Sequence, residues 1–307
     1  MSKYLPEGKH INTKENIGAL KSPDTIRDAF KQGMILEGRV MLCDNEHNLH
    51  VDLGCMAGII PREEGAIGIS EGTTRDIALI SKVNKPVCFV ITDFGFDEYG
   101  EIFAILSRKK VQEMCMEDYI SALETGDIID AKICHMEPFG VFADIGAGIN
   151  ALLPIDSISV SRIPHPNVRF TPNQDIRAIV KSRDELGRIV LTHKELLGTW
   201  EENAKKFSVG ETVPGIVRST EKYGVFVELT PNLAGLAEVS ESILPGQNTA
   251  VYIKSIIPER MKIKLIIVDC FDAAYPVQKL HYFINDSHIS YWKYSPMSSE
   301  KVIESFF

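Results

Sequence analysis

The sequence predicts an all-β protein of three tandem five-stranded barrels joined by short helices, with a small α+β C-terminal extension. Three observations carry this prediction. One pattern is written twice, as GDIIDAKICHMEPFGVFADI at 126–145 and GETVPGIVRSTEKYGVFVEL at 210–229, and a repeat at this interval marks a repeated module. Each copy leads into a second run rich in Val and Ile, DIRAIVKSRDELGRIVLTHKEL at 175–196 and TAVYIKSIIPERMKIKLIIVD at 249–269. Apolar residues alternate in these runs, which are bounded by Gly, Pro and Asn, and that periodicity belongs to half-buried strands. Finally, the segments between modules are charged and helical in character.

The elements follow in chain order. Residues 1–32 form a polar N-terminal arm in which Ser22-Pro23-Asp24 reads as a helix start. A serine side chain can cap the orphan N–H groups of the first turn, and proline presets its φ. The arm is expected either as a mobile lead or as a cap on the first module. Residues 33–110 hold a degenerate first copy, GMILEGRVMLCDNEHNLHVDLGCMAGIIP, closed by KPVCFVITDFG and GEIFAILSRKK. It fits the template with one extra residue in its first turn and one fewer in its second. A helical connector at 111–125 precedes the second module at 126–198. A second connector at 199–209 leads to the third module at 210–268. Residues 269–307 form an aromatic-rich extension, expected as a hairpin (280–284 with 289–294) and a short helix from Ser298. Most of its rings are expected to pack against the third module.

The aromatic residues of the repeat raise the functional question. Val141, Ala143 and Ile145 share one side of a strand and belong inward, so Phe142 is expected to face outward together with Asp144. Strict alternation would turn Phe139 inward, but a bulge at Gly140 would reset the parity and expose both rings. Tyr223, Gly224 and Phe226 repeat the arrangement. Rings that merely cap a barrel end are the competing reading, and the recurrence at matching positions argues against it. Exposed rings suit a single-stranded nucleic acid, because every base has a π-face. Basic residues cluster downstream at Arg162, Arg169, Arg177, Lys181, Arg183, Arg188 and Lys194.

The order G-x-V, aromatic-G-x-F-V, GLxxxS and D-x-x-G-R-I-x-L-T resembles the S1 RNA-binding domain family, a small barrel of the oligonucleotide-binding (OB) type. Three copies joined by helices resemble the ribosomal protein S1 family and its shorter members. The resemblance implies single-stranded RNA binding in translation, with mRNA held on the second and third modules. It places Arg188 beside the aromatic pair, where Lys181 and Arg183 also approach. The third module's counterparts are Arg260 and Lys262, with Lys254 nearby and Arg218 on its first strand. A histidine common in the family's GLVHxS stretch is replaced by Pro154 and Glu238, and Glu238 sets a carboxylate where a phosphate would pass. The first module has His47 and His50 at the ring positions and Glu101 in place of Arg188. It is therefore expected to contact protein, with the small ribosomal subunit as the candidate partner.

Bulk properties narrow the classes. The 307 residues carry a net charge of −9, which argues against a broadly basic coat. The acidity is uneven: residues 33–110 hold 8 basic against 12 acidic side chains, whereas 210–268 hold 6 of each. The net charge favours a rival reading, an OB-fold scaffold that binds proteins in a ribosome-associated, transcription or RNA-decay assembly. Phosphate-loop, nucleophile-elbow, HExxH and CxxC motifs are all missing, so no catalytic residues, metal, cofactor or small-molecule substrate are expected. No apolar run reaches the roughly 18 residues of a membrane span, and MSKYLPEGKH lacks a signal-peptide core. A cytoplasmic protein is expected.

Overall fold

The computed structural model describes residues 3–239, 243–273 and 280–307. Ser240, the serine of the third module's GLAEVS stretch, and 274–279 of the extension lie outside the described residues. The strands close into three five-stranded barrels. The first is built from β1 (Leu36–Cys43), β2 (Leu49–Asp52), β3 (Ala57–Ile60), β4 (Pro86–Phe96) and β5 (Ile102–Ser107). The second has β6 (Ile128–Glu137), β7 (Gly140–Asp144), β8 (Asn150–Pro154), β9 (Asp175–Arg183) and β10 (Ile189–Thr192). The third has β11 (Thr212–Glu221), β12 (Gly224–Thr230), β13 (Leu233–Ala237), β14 (Asn248–Ile257) and β15 (Lys262–Phe271). All three share one cyclic strand order, in which the third strand runs parallel to the fifth: Gly58 faces Ala104, Leu152 faces Val190, and Leu236 faces Lys264. Val141 and Ala143 on β7, like Val225 and Val227 on β12, are fully buried, so the alternation does set the inward face.

The chain divides into two compact units, residues 1–123 with 144–150, and residues 124–143 with 151–307. In the first unit the N-terminal arm is a cap. It carries α1 (Lys14–Ala19) and α2 (Pro23–Gln32), and Ile26 and Ala29 of α2 join the core of the first barrel. Ser22 and Thr25 form a reciprocal capping box with Pro23 at the first helical position, so the helix begins where the sequence places it. A short helix α3 (Ile77–Ile80) lies between β3 and β4, and the 111–125 connector is α4 (Arg108–Cys115) continued by a π-helical turn at Met116–Ile120.

The arm is tied down by buried carboxylates. Glu37 accepts hydrogen bonds from the backbone N–H groups of Gly8, His10 and Ile11 at 2.8–2.9 Å. Glu7 receives Arg108 Nε at 2.6 Å and Lys82 Nζ at 2.7 Å, and its own N–H donates to Asp144 at 2.7 Å. Asp144, expected on the outer face beside Phe142, is only 2% exposed. It ends its strand under the arm and also accepts the N–H groups of Gly146 and Gly148, so it is a structural acceptor. Burial, with a further push from Glu7, raises its carboxyl to about 6, and burial lifts Glu37 to about 7 against the pull of its three backbone donors.

In the second unit, the connector between barrels is a 3-10 turn (Lys194–Leu197) followed by α5 (Trp200–Ala204), opened by a capping box of Thr199 and Glu202. Trp200 drops into the third barrel's core. The extension departs from expectation. Its strands are β16 (Tyr291–Lys293) and β17 (Glu304–Phe306), which pair with each other, and no helix follows Ser298 among the described residues. Residues 280–284 form no strand; instead Arg177 donates to the carbonyls of Ile284 and Asp286 at 2.7 Å, and Tyr282 hydrogen-bonds the buried His193. Trp292 and Tyr294 do enter the third barrel's core, while Tyr291 and Phe306 stay exposed.

Barrels two and three are joined by buried polar contacts. Asn232, in the β12–β13 turn, accepts the Val160 N–H at 2.9 Å and donates to the carbonyls of Lys194 and Gly198 at 2.7 and 2.8 Å. Beside it Arg169 reaches from the second barrel to Glu228 of β12, which also receives Arg218 through two bonds of 2.8 and 2.9 Å. The two arginines hold the Glu228 carboxyl below its usual range even though burial opposes this.

Candidate nucleic-acid interface

The β6–β7 and β11–β12 hairpins present the repeated rings. Phe139 and Tyr223 sit in the hairpin turns, not on the strands, so strand parity does not apply to them. The bulge expected at Gly140 is therefore unnecessary. In the third barrel the register shift falls on β11, between Val217 and Ser219, and Gly224 pairs regularly with Glu221. The glycines serve close approach instead. A Cβ on Gly140 would lie 2.5 Å from the Leu153 carbonyl oxygen, and one on Gly224 would lie 2.5 Å from that of Ala237.

Both barrels arrive at the same ring geometry. Phe139 is 56% exposed and meets the half-buried Phe142 edge to face, with centroids 6.1 Å apart at 85°. Tyr223 is 67% exposed and meets Phe226 at 6.0 Å and 89°. In each pair the inner ring is half-buried and the outer ring exposed, an arrangement that suits a planar partner.

The basic residues divide into displayed and buried sets. Lys181, Arg183 and Arg188 flank the exposed β9–β10 hairpin, whose strand β10 is one strand removed from β7. Lys181 donates to Ser157 Oγ at 3.2 Å, Arg183 to the Gly187 carbonyl at 3.4 Å, and Arg188 to Asp184 at 2.7 Å. Lys254, Arg260 and Lys262 are exposed on the β14–β15 hairpin. Arg218 is not among them: its side chain is 9% exposed and engaged with Glu228, which corrects the expectation that it faces a ligand. Arg169 and Arg177 are likewise consumed by internal acceptors. Lys264, which the repeat pattern does not mark, joins the displayed set. The K-I-K-L alternation of β15 places it on the face of Lys262, with Ile263 and Leu265 buried behind.

The first barrel carries no ring pair at this place. The ladder runs Leu42–His50–Ile59–Ile105–Asp93, so His50 takes the position of Phe226, and its Nε2 lies 3.1 Å from Asp44. His47 lies in the loop before β2, and Glu101 is exposed before β5. The first barrel's exposed aromatics lie instead around the β4–β5 hairpin turn, with Phe96 73% and Tyr99 88% exposed among Asp97, Glu98 and Glu101.

The three closed five-stranded barrels are OB-fold-like, and the ring pairs stand on the second and third. Residues 122–194 match the family model described as the S1 RNA binding domain. More particularly, the chain is homologous to small ribosomal subunit protein bS1. It is 32% identical to that protein of Staphylococcus aureus (strain COL) over 180 residues, 53% of this chain and 46% of the relative. It is 30% identical to that of Leuconostoc lactis over 238 residues, 76% of this chain and 52% of the relative. The chain thus spans about half the length of the curated relatives it matches. A solved multidomain protein with nucleic acid binding domains from Streptococcus pneumoniae covers 77% of this chain and 74% of its own, at 13% identity and a TM-score of 0.26, a likeness that bears on neither fold nor function.

Proposed function

We propose that this protein binds single-stranded RNA in translation, with mRNA stacked on Phe139 and Phe142 of the second barrel and on Tyr223 and Phe226 of the third. Lys181, Arg183, Arg188, Lys254, Arg260 and Lys262 meet the phosphates. The observation that carries this reading is the recurrence of one edge-to-face ring pair, outer ring exposed, at the same hairpin of two barrels. Homology to a ribosomal protein supports translation as the setting, the cytoplasm as the place, and a binding role without catalysis. Each barrel alone binds weakly, and holding both on one chain raises the effective concentration of the second for a strand already bound to the first.

The first barrel is proposed to dock on protein, with the small ribosomal subunit as partner. The exposed Phe96 and Tyr99 amid carboxylates favour a basic protein surface over a phosphate backbone there. They also favour the second reading, a protein-binding scaffold. Fluorescence anisotropy of the full chain with unstructured and duplex RNA separates the two. Preference for the unstructured strand is expected, with a loss of about 1–3 kcal/mol in binding per stacked base removed when Phe139 and Phe142 are both changed to Ala. Binding that ignores both substitutions would rule out the stacking role.

A further inference from the structure

The outer face of the third barrel continues beyond its rings. Paired residues run across the ladder as Ser219–Phe226–Leu236–Lys264–Ser255. Residues directly opposite one another point to the same side of a sheet, so Lys264 stands on the ring face. It lies two strands from Phe226, roughly 10 Å at the backbone. Lys262 precedes it by two residues on the same side of β15. The ladder shifts register between Ile253 and Ser255 of β14, and the extra residue at this bulge, Lys254, is exposed.

None of these three ammonium groups has an ion pair or hydrogen bond among the described residues. The second barrel differs at each point. Val190 faces Leu152 where Lys264 faces Leu236, Arg188 is paired with Asp184 at 2.7 Å, and Lys181 is tied to Ser157 at 3.2 Å. A single strand carries condensed counterions along its phosphates, and an unpaired lysine that neutralises a phosphate releases them, which makes such binding salt-dependent.

Resting on the reading that these barrels take single strands, we propose that Lys254, Lys262 and Lys264 form a phosphate track on the third barrel, and that the two barrels grip one strand by different means. The third adds to stacking on Tyr223 and Phe226 a run of phosphate contacts that release the strand's counterions. The second relies more on stacking on Phe139 and Phe142, because Arg188 and Lys181 already have partners.

The test measures anisotropy of a fluorescein-labelled oligouridine with the full chain across a salt series. Lys264→Ala, at an exposed position, is expected to make the slope of log K against log salt shallower by about 0.7, the value for one phosphate contact to a single strand. Val190→Lys is expected to steepen it by a similar amount. Phe139→Ala with Phe142→Ala should lower affinity at every salt concentration and leave the slope unchanged. Lys31→Ala on α2 is the control, expected to change neither. The track is overturned if Lys264→Ala moves the slope no more than the control does, or if the ring substitutions move it as much as Lys264→Ala. Failure of the unaltered chain to bind the oligonucleotide removes the single-strand reading and the track together, whereas retained binding with an unmoved slope removes the track alone.

Discussion

Glu238 shows how one residue tunes this surface. It is exposed just beyond β13, whose Ala237 carbonyl closes against Gly224 beside Tyr223. If RNA follows the proposed lysine track, a carboxylate here repels its phosphates. Through water such repulsion is worth at most about 1 kcal/mol at close range. Glu238→Gln is therefore expected to raise RNA affinity by about two- to fivefold, measured as Kd at low salt, and to leave thermal stability unchanged. The exposure of Phe139 and Tyr223 was legible in the sequence through the recurrence of the aromatic-Gly pair, although the bulge expected at Gly140 is not what achieves it. The device was not legible, since whether a ring belongs to the turn or to the strand depends on where pairing stops.

Among the elements, β12 carries a buried dependency. Glu228 is the shared acceptor of Arg169 and Arg218, and Arg169 Nε already lacks a hydrogen-bond partner. Replacing Glu228 by Gln leaves two buried guanidiniums without a counter-charge. Breaking a buried pair from one side typically costs about 3–5 kcal/mol. A fall of that order in unfolding free energy is expected from urea denaturation of the full chain. Substitution of Glu221, exposed on β11 of the same barrel, should have little effect. Nothing in the alternation of β11 and β12 separates Arg218 from a displayed cation. Its fate is set by Glu228 on the neighbouring strand, a carboxylate that Arg169 from the β8–β9 connection of the second barrel also engages, so that all three side chains are buried together.

For the whole molecule, the arm makes stability depend on pH. Glu37 is raised to about 7 from an ordinary 4.5, and Asp144 to about 6 from 3.8, chiefly by burial. In the folded state both keep protons that the unfolded chain releases, so the stability they contribute is present at low pH and lost as pH rises through 6–7. Glu7 acts oppositely: Arg108 and Lys82 hold it below its usual range despite its burial, so its contribution is present above about 4.5 and lost in stronger acid. Scanning calorimetry should find the transition involving the first unit at higher temperature near pH 5.5 than near pH 8, by on the order of a few degrees. Glu37→Gln should flatten that difference, and an unchanged pH profile would show that Glu37 does not titrate in this range.

What the sequence by itself determined was local and periodic: three barrels, the helical connectors, the start of the arm's helix at Ser22, the inward face of each repeated strand, and the ring positions of the second and third barrels. The tertiary structure decided which charges are displayed. Asp144 and Glu228 alternate like surface residues, yet the arm covers one and Arg169 the other. Lys264 reads as one lysine among several until the ladder sets it in line with Phe226. Alternation reports which side of its own strand a residue faces. Whether that side meets water, a second barrel or a folded-back arm depends on chain many residues away, and desolvation and ion pairing follow from that.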